Sequence, residues 1–160
     1  MKSVVIYYSY SGNTKKIANI LTESLSKTSQ VEEIELIALD ESRAFLKQCH
    51  RAFSKTRAKI NPVKFDLSDY DTICLGSPVW AFGPAPAMNA YLDLCIGLEG
   101  KQIILFTTYG SGTGNQRCLD YMQDLLSKKK AGIFSRFSIA QLKVKDKDFV
   151  TKKIQETTRL

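Results

Sequence analysis

The chain has one histidine, His50, one tryptophan, Trp80, and four scattered cysteines. A lone histidine removes most metal-ligand sets and Ser/His/Asp arrangements from consideration, so no metal site is expected. Cys49, Cys74, Cys95 and Cys118 form no Cys-x-x-Cys pair, and each sits in an apolar stretch. Buried free thiols are the expectation, rather than a disulfide frame or a zinc site. Long hydrophobic runs are also missing. The run Val4-Val5-Ile6-Tyr7-Tyr8 turns polar at once, too short for a signal peptide or a membrane span, so a cytoplasmic protein without a transmembrane segment is expected. No repeat, low-complexity tract or linker divides the chain, which reads as one domain over residues 1–160.

What is present is an ordinary globular composition, 44% hydrophobic and 24% charged in 160 residues, enough for one sizeable core. Strand-like runs alternate with helical periodicity, the pattern of an α/β fold with a parallel sheet between two layers of helices. Residues 3–8 read as a strand buried on both faces, followed by a helix carrying Ile17, Ile20, Leu21 and Leu25. Residues 31–37 alternate polar and apolar, which suits an edge strand. Residues 71–75 and 102–108 are further apolar strands, each ending in a turn that feeds a helix. Those helices carry Met88, Tyr91, Leu92 and Cys95, and Cys118, Tyr121, Met122 and Leu125. A fifth strand is expected over residues 133–140, and a closing helix over 148–157 with Phe149, Val150 and Ile154 inward.

The strongest chemical signal is Ser9-Tyr10-Ser11-Gly12-Asn13-Thr14, between the first strand and the first helix. A loop entering a helix N-terminus offers unpaired backbone N–H groups and the positive end of the helix dipole, which together bind phosphate. Ser9, Ser11, Asn13 and Thr14 add hydroxyl and amide donors, and Gly12 permits close backbone approach. Read alone, the segment fits an ordinary Ser/Thr-rich helix cap equally well. Neither standard nucleotide motif competes: no Walker A pattern occurs, and the stretch from Gly110 to Gly114 has Asn115 where the dinucleotide fingerprint needs its third glycine.

The segment from Tyr7 to Thr14 resembles the phosphate loop of the flavodoxin family, and two further loops agree with it. Gly76-Ser77-Pro78-Val79-Trp80-Ala81-Phe82-Gly83-Pro84-Ala85-Pro86 follows the third strand, and Thr107-Thr108-Tyr109-Gly110-Ser111-Gly112 follows the fourth. The resemblance covers nearly the whole chain. It implies a doubly wound five-stranded parallel sheet of order 2-1-3-4-5, with FMN at the carboxyl ends of the strands. It also implies a cofactor site made of Ser9, Tyr10, Ser11, Gly12, Asn13 and Thr14 around phosphate, with Ser77, Pro78, Val79, Trp80, Ala81, Phe82 and Gly83, and then Thr108, Tyr109, Gly110, Ser111 and Gly112, around the isoalloxazine ring. Trp80 matches the family's stacking position; a large side chain anchoring the loop to the sheet is the alternative. No second aromatic follows Tyr109, where Ser111, Gly112, Thr113 and Gly114 stand, so one face of the ring is expected to be open.

Electron-carrying flavodoxins are typically acidic, and this chain departs from them with a net charge of +7. No acidic residue occurs in residues 77–87 or 107–116, which predicts a flavin less reducing than that of a typical flavodoxin. The excess is concentrated in Arg43, Lys47, Arg51, Lys55, Arg57, Lys59 and Lys64, with Phe45, Cys49 and Phe53 every four residues beneath. A solvated amphipathic helix is the simpler reading; an acidic partner docking between Arg43 and Lys64 is the other, and nucleic acid has the least support for want of a binding motif. A similar insertion precedes the third strand in a subgroup of flavodoxin-like proteins, and it fixes no substrate. The leading expectation is an FMN-binding electron carrier serving a redox partner protein. An FMN-dependent oxidoreductase acting on a planar small-molecule acceptor, of quinone reductase or menaquinone-linked oxidase type, stands second, and a non-redox binding module third.

Overall fold

Burial along the first strand sets the architecture. In β1, Lys2–Tyr8, every residue after Lys2 is buried, so side chains on both faces need cover. Val4, Ile6 and Tyr8 join one core cluster, while Val5 and Tyr7 join another on the opposite face. The structure, a computed structural model, describes residues 1–40, 57–110 and 112–158.

The helices supply that cover in pairs. On one face lie α1, Asn13–Leu25, through Ile17, Leu21 and Leu25, and the last helix, α4, Lys147–Thr158, through Val150 and Ile154. On the other lie α2, Pro86–Leu94, through Met88, Tyr91 and Leu92, and α3, Asn115–Ser127, through Cys118, Leu119, Met122 and Leu126. The expected three layers are therefore present. In two places the inward stripe is shifted from its expected position. Phe149 is 42% exposed, because Val150, Ile154 and Thr158 form the four-residue stripe of α4, and the Lys143 ammonium lies 5.7 Å from the Phe149 ring centroid. In α3, Leu119 and Leu126 are core residues, whereas Leu125 is only half-buried.

The strands β2 (Gln30–Leu36), β3 (Thr72–Trp80), β5 (Gln102–Tyr109) and β6 (Ile133–Ala140) run parallel with β1 in the order β2-β1-β3-β5-β6. With the two-residue β4, Gly83–Pro84, set aside, this is the expected order of five principal strands. β2 holds the predicted edge position, and its outer carboxylates are engaged. The Tyr7 hydroxyl donates to Glu33 and Glu35 at 3.1 and 3.5 Å, and the Lys15 ammonium meets Glu35 at 2.6 Å.

β3 extends to Trp80, past the expected end at Leu75, because its glycine, serine and proline are accommodated within the sheet. Gly76 lies against the Phe106 ring so closely that a β-carbon would fall 2.1 Å from it. Ser77 and Pro78 continue in register with Thr107 and Thr108. The chain then reverses at once, with Val79 and Trp80 pairing antiparallel with Pro84 and Gly83.

Arg43, Phe45, Lys47, Cys49, His50, Arg51, Phe53 and Lys55, and the helix expected of them, lie outside the described residues, as does Ser111. Where the described chain resumes, two of its cations, Arg57 and Lys64, are matched from within. Arg57 grips Asp93 at 2.5 and 2.9 Å, and Lys64 meets Asp69 at 3.1 Å. Among the described residues no helix is long and apolar enough to cross a membrane.

Candidate cofactor site at the carboxyl edge of the sheet

Parallel strands end together, and the loops following β1, β3 and β5 meet at one edge of the sheet. The first is built around Gly12, whose φ of +81° places it in the left-handed region immediately before α1. A β-carbon there is disfavoured by about 1–2 kcal/mol, which accounts for glycine. Behind it, the Ser9 hydroxyl accepts from the Lys15 amide at 3.2 Å, and the Gly12 carbonyl accepts from the Lys16 amide at 3.1 Å. Gly12 has no side chain with which to cap α1, and no acidic residue stands in the first turn of the helix. Among the described residues, the amides of Ser11, Gly12, Asn13 and Thr14 have no protein acceptor. Ser11 is exposed and Asn13 half-buried. Thr14 is buried, and its hydroxyl meets that of Thr108 at 2.9 Å, tying the first loop to the end of β5.

The second loop divides into a buried base and an accessible tip. The Ser77 hydroxyl accepts from the Ala85 amide at 2.9 Å and donates to the Pro78 carbonyl at 3.0 Å, so both of its directions are used inside the fold. Ser77 and Pro78 thus support the turn from within. Trp80 is also packed: it is 6% exposed and lies edge-to-face with Tyr8 and Tyr10, at centroid separations of 5.8 and 5.5 Å. This is the anchoring arrangement rather than an open aromatic wall. Tyr10, 41% exposed, is the more accessible of that pair.

The tip is a tight hairpin with Ala81 at φ +46° and Phe82 at φ +67°. Val79, Ala81 and Gly83 are half-buried, while Phe82 is 48% exposed. Facing it, Tyr109 is half-buried, and Gly110 and Gly112 are exposed. A cleft of about 110 Å³ lies between the two loops, lined by Val79, Ala81, Phe82, Tyr109, Gly110 and Thr113. Enclosed ligand pockets typically measure about 300–1,000 Å³, so a tricyclic ring would lie across this cleft rather than inside it. The donors at α1 fit a phosphate monoester, and the small cleft, whose lining mixes apolar side chains with the polar groups of Tyr109 and Thr113, fits one edge of an isoalloxazine ring.

Arg117 was not expected at this edge, whereas Thr113 and Gly114 were expected there only as positions of the second flavin loop without an aromatic side chain. Gly114, φ +84°, caps α3 just as Gly12 caps α1, and a β-carbon on it would fall 2.5 Å from the Phe82 ring. The signal was legible: Gly12-Asn13 and Gly114-Asn115 open the two helices with the same dipeptide. Cys118, in the first turn of α3, is no activated thiol, since burial pushes its pKa up to about 12. Burial likewise lifts Cys95 to about 11 and raises Cys74 strongly. All three are buried and free, as expected; Cys49 lies outside the described residues. Among the described residues no three His, Cys, Asp or Glu side chains gather into a metal site.

Solved structures share this architecture. A Bacteroides uniformis protein described as a candidate flavoprotein superposes with a TM-score of 0.73 at 21% identity, covering 96% of this chain and 97% of its own. A flavoprotein from Lactobacillus acidophilus, solved in complex with FMN, has a TM-score of 0.64 at 22% identity over 92% and 98% of the two chains. Flavodoxin 1 from Bacillus cereus gives 0.63 at 20% identity over 97% and 98%. At such identities the likeness establishes the flavodoxin-like fold, and the assignment to a family comes from the sequence itself. Residues 1–142 match the NADPH-dependent FMN reductase family, and the chain accordingly belongs to that family of FMN-binding, flavodoxin-like flavoproteins.

Proposed function

We propose that this protein holds FMN across the carboxyl edge of its sheet and works as an FMN-dependent oxidoreductase between a reduced nicotinamide nucleotide and a planar acceptor. The observation that carries the binding half is the set of amides at Ser11, Gly12, Asn13 and Thr14, which have no acceptor among the described residues and open a helix with no acidic residue in its first turn. Asn13 and the Ser11 hydroxyl add donors from the same loop, while Thr14 holds that loop against β5. Val79, Ala81, Gly83, Tyr109 and Gly110 would border the ring, and Ser77, Pro78 and Trp80 keep the second loop in place. Bound FMN would supply the redox chemistry, and the chain's own part is to bind it, orient it and leave one face accessible. The small volume of the cleft, about 110 Å³, is too little to enclose the ring and supports that access.

An electron carrier acting between proteins is the second reading. It is favoured by a cleft whose described lining offers no carboxylate, histidine or lysine as an acid or base. A cytoplasmic location suits either reading. Spectra of the purified protein should show flavin bands, and the flavin-loaded protein should oxidise NADPH rapidly when a naphthoquinone is added. Flavin-loaded protein without such turnover would favour the carrier, and a protein that takes up no FMN would overturn both.

A further inference from the structure

The tip of the second loop holds a conformation that folding alone does not explain. Two consecutive residues with positive φ belong to a two-residue hairpin turn, where Asn-Gly is the unstrained choice. Here they are Ala81 and Phe82, at φ +46° and +67°. A bulky side chain in this region is strained, and such strain persists only where its surroundings hold it. The surroundings are specific: the Phe82 ring packs over Gly114, where any side chain would collide with it. Yet burial is not what the arrangement achieves, since Phe82 remains 48% exposed beside the cleft.

A cation accompanies the exposed ring. The Arg117 guanidinium carbon lies 5.9 Å from the Phe82 ring centroid. Arg57 and Arg136 are each paired with an aspartate, but among the described residues no carboxylate pairs with Arg117. The adjoining loops, residues 77–87 and 107–116, contain no acidic residue. Beside the cleft, which Phe82 lines, an exposed aromatic ring thus carries over it a guanidinium that pairs with no carboxylate among the described residues. An aromatic face stacks on a planar molecule, and a guanidinium pairs with a carboxylate or sulfonate on that molecule.

We infer that Phe82 and Arg117 form a specificity subsite for a planar aromatic acceptor bearing an anionic substituent, held over the accessible face of the flavin. The inference rests on the reading of this edge as an FMN site. Phe82 supplies contact common to charged and neutral acceptors, and Arg117 discriminates between them.

The test is equilibrium dialysis of FMN-saturated, oxidised protein against two probes of matched shape, anthraquinone-2-carboxylate and 2-(hydroxymethyl)anthraquinone. Wild type should bind the carboxylate about three- to fivefold more tightly, the range of an exposed ion pair, and the preference should shrink in high salt. Arg117→Gln should abolish the preference while leaving the dissociation constants of the neutral probe and of FMN unchanged. Phe82→Leu should weaken both probes together. FMN bound normally with no preference between the probes, or a preference that survives Arg117→Gln, would overturn this inference and leave the FMN reading intact. Failure to bind FMN would overturn that reading and this one with it.

Discussion

Thr14 shows how one residue can be read correctly in place and incompletely in role. As a hydroxyl at the start of α1 it was expected to face a phosphate, but it is buried and shares a 2.9 Å hydrogen bond with Thr108, ninety-four positions away in the chain. That contact depends on β1 and β5 ending at the same edge, which no local pattern encodes. Thr14→Val should leave the Thr108 hydroxyl buried without its partner and lower stability by about 1–3 kcal/mol in a denaturant titration. An unchanged midpoint would mean that the bond does not tie the loops. Trp80 teaches the same lesson. Its rank as the sole tryptophan in a Pro/Gly-rich loop drew attention to it, whereas its 6% exposure follows from β3 running on to residue 80.

Strand and helix identities were legible because their periodicities are strong; turn geometry was less so. The apolar runs placed all five principal strands and the edge position of β2, and Gly12 and its neighbours marked the entry to α1. The end of β3 was missed because glycine, serine and proline are ordinary turn signals. Here Ser77 is satisfied by Ala85 and Pro78, and Gly76 accommodates the Phe106 ring. The hairpin that follows carries the strained pair Ala81 and Phe82. Replacing both, as Ala81→Asn with Phe82→Gly, should raise stability by about 1 kcal/mol, because the turn then has the residues its dihedrals require. A drop in thermal midpoint would show that the Phe82 packing outweighs the strain.

A second contact joins α2 to the chain ahead of β3. Hydrogen bonding from Arg57 holds the Asp93 carboxyl below the usual aspartate range. A carboxylate whose pKa is lowered by folding contributes stability above its ordinary range and loses it as pH falls through the lowered value. Asp93→Asn should therefore be less stable than wild type at pH 7, by under about 1 kcal/mol for so exposed a pair, and should converge with it in acid. An equal deficit at pH 7 and pH 2.5 would assign the effect to packing instead.

At the scale of the whole molecule, charge is the departure that sets this chain apart from typical flavodoxins. Its net charge is +7, and residues 77–87 and 107–116 are free of carboxylates, so a flavin bound between these loops would lack nearby carboxylates from them to oppose its gain of electrons. The second reduction potential of the bound FMN should accordingly be less negative than that of an acidic flavodoxin. A redox titration giving an equally low or lower value would contradict this. Among the described residues of the basic stretch, Arg57 and Lys64 are paired with Asp93 and Asp69.

The most direct test of the account is a fluorescence titration of the flavin-free protein with FMN and with riboflavin, which differ only by the phosphate. Phosphate held by the Ser9 to Thr14 loop predicts that FMN binds tightly and riboflavin at least about a hundredfold more weakly, as the loss of several charge-assisted hydrogen bonds requires. Equal affinity for the two would contradict the assignment of that loop.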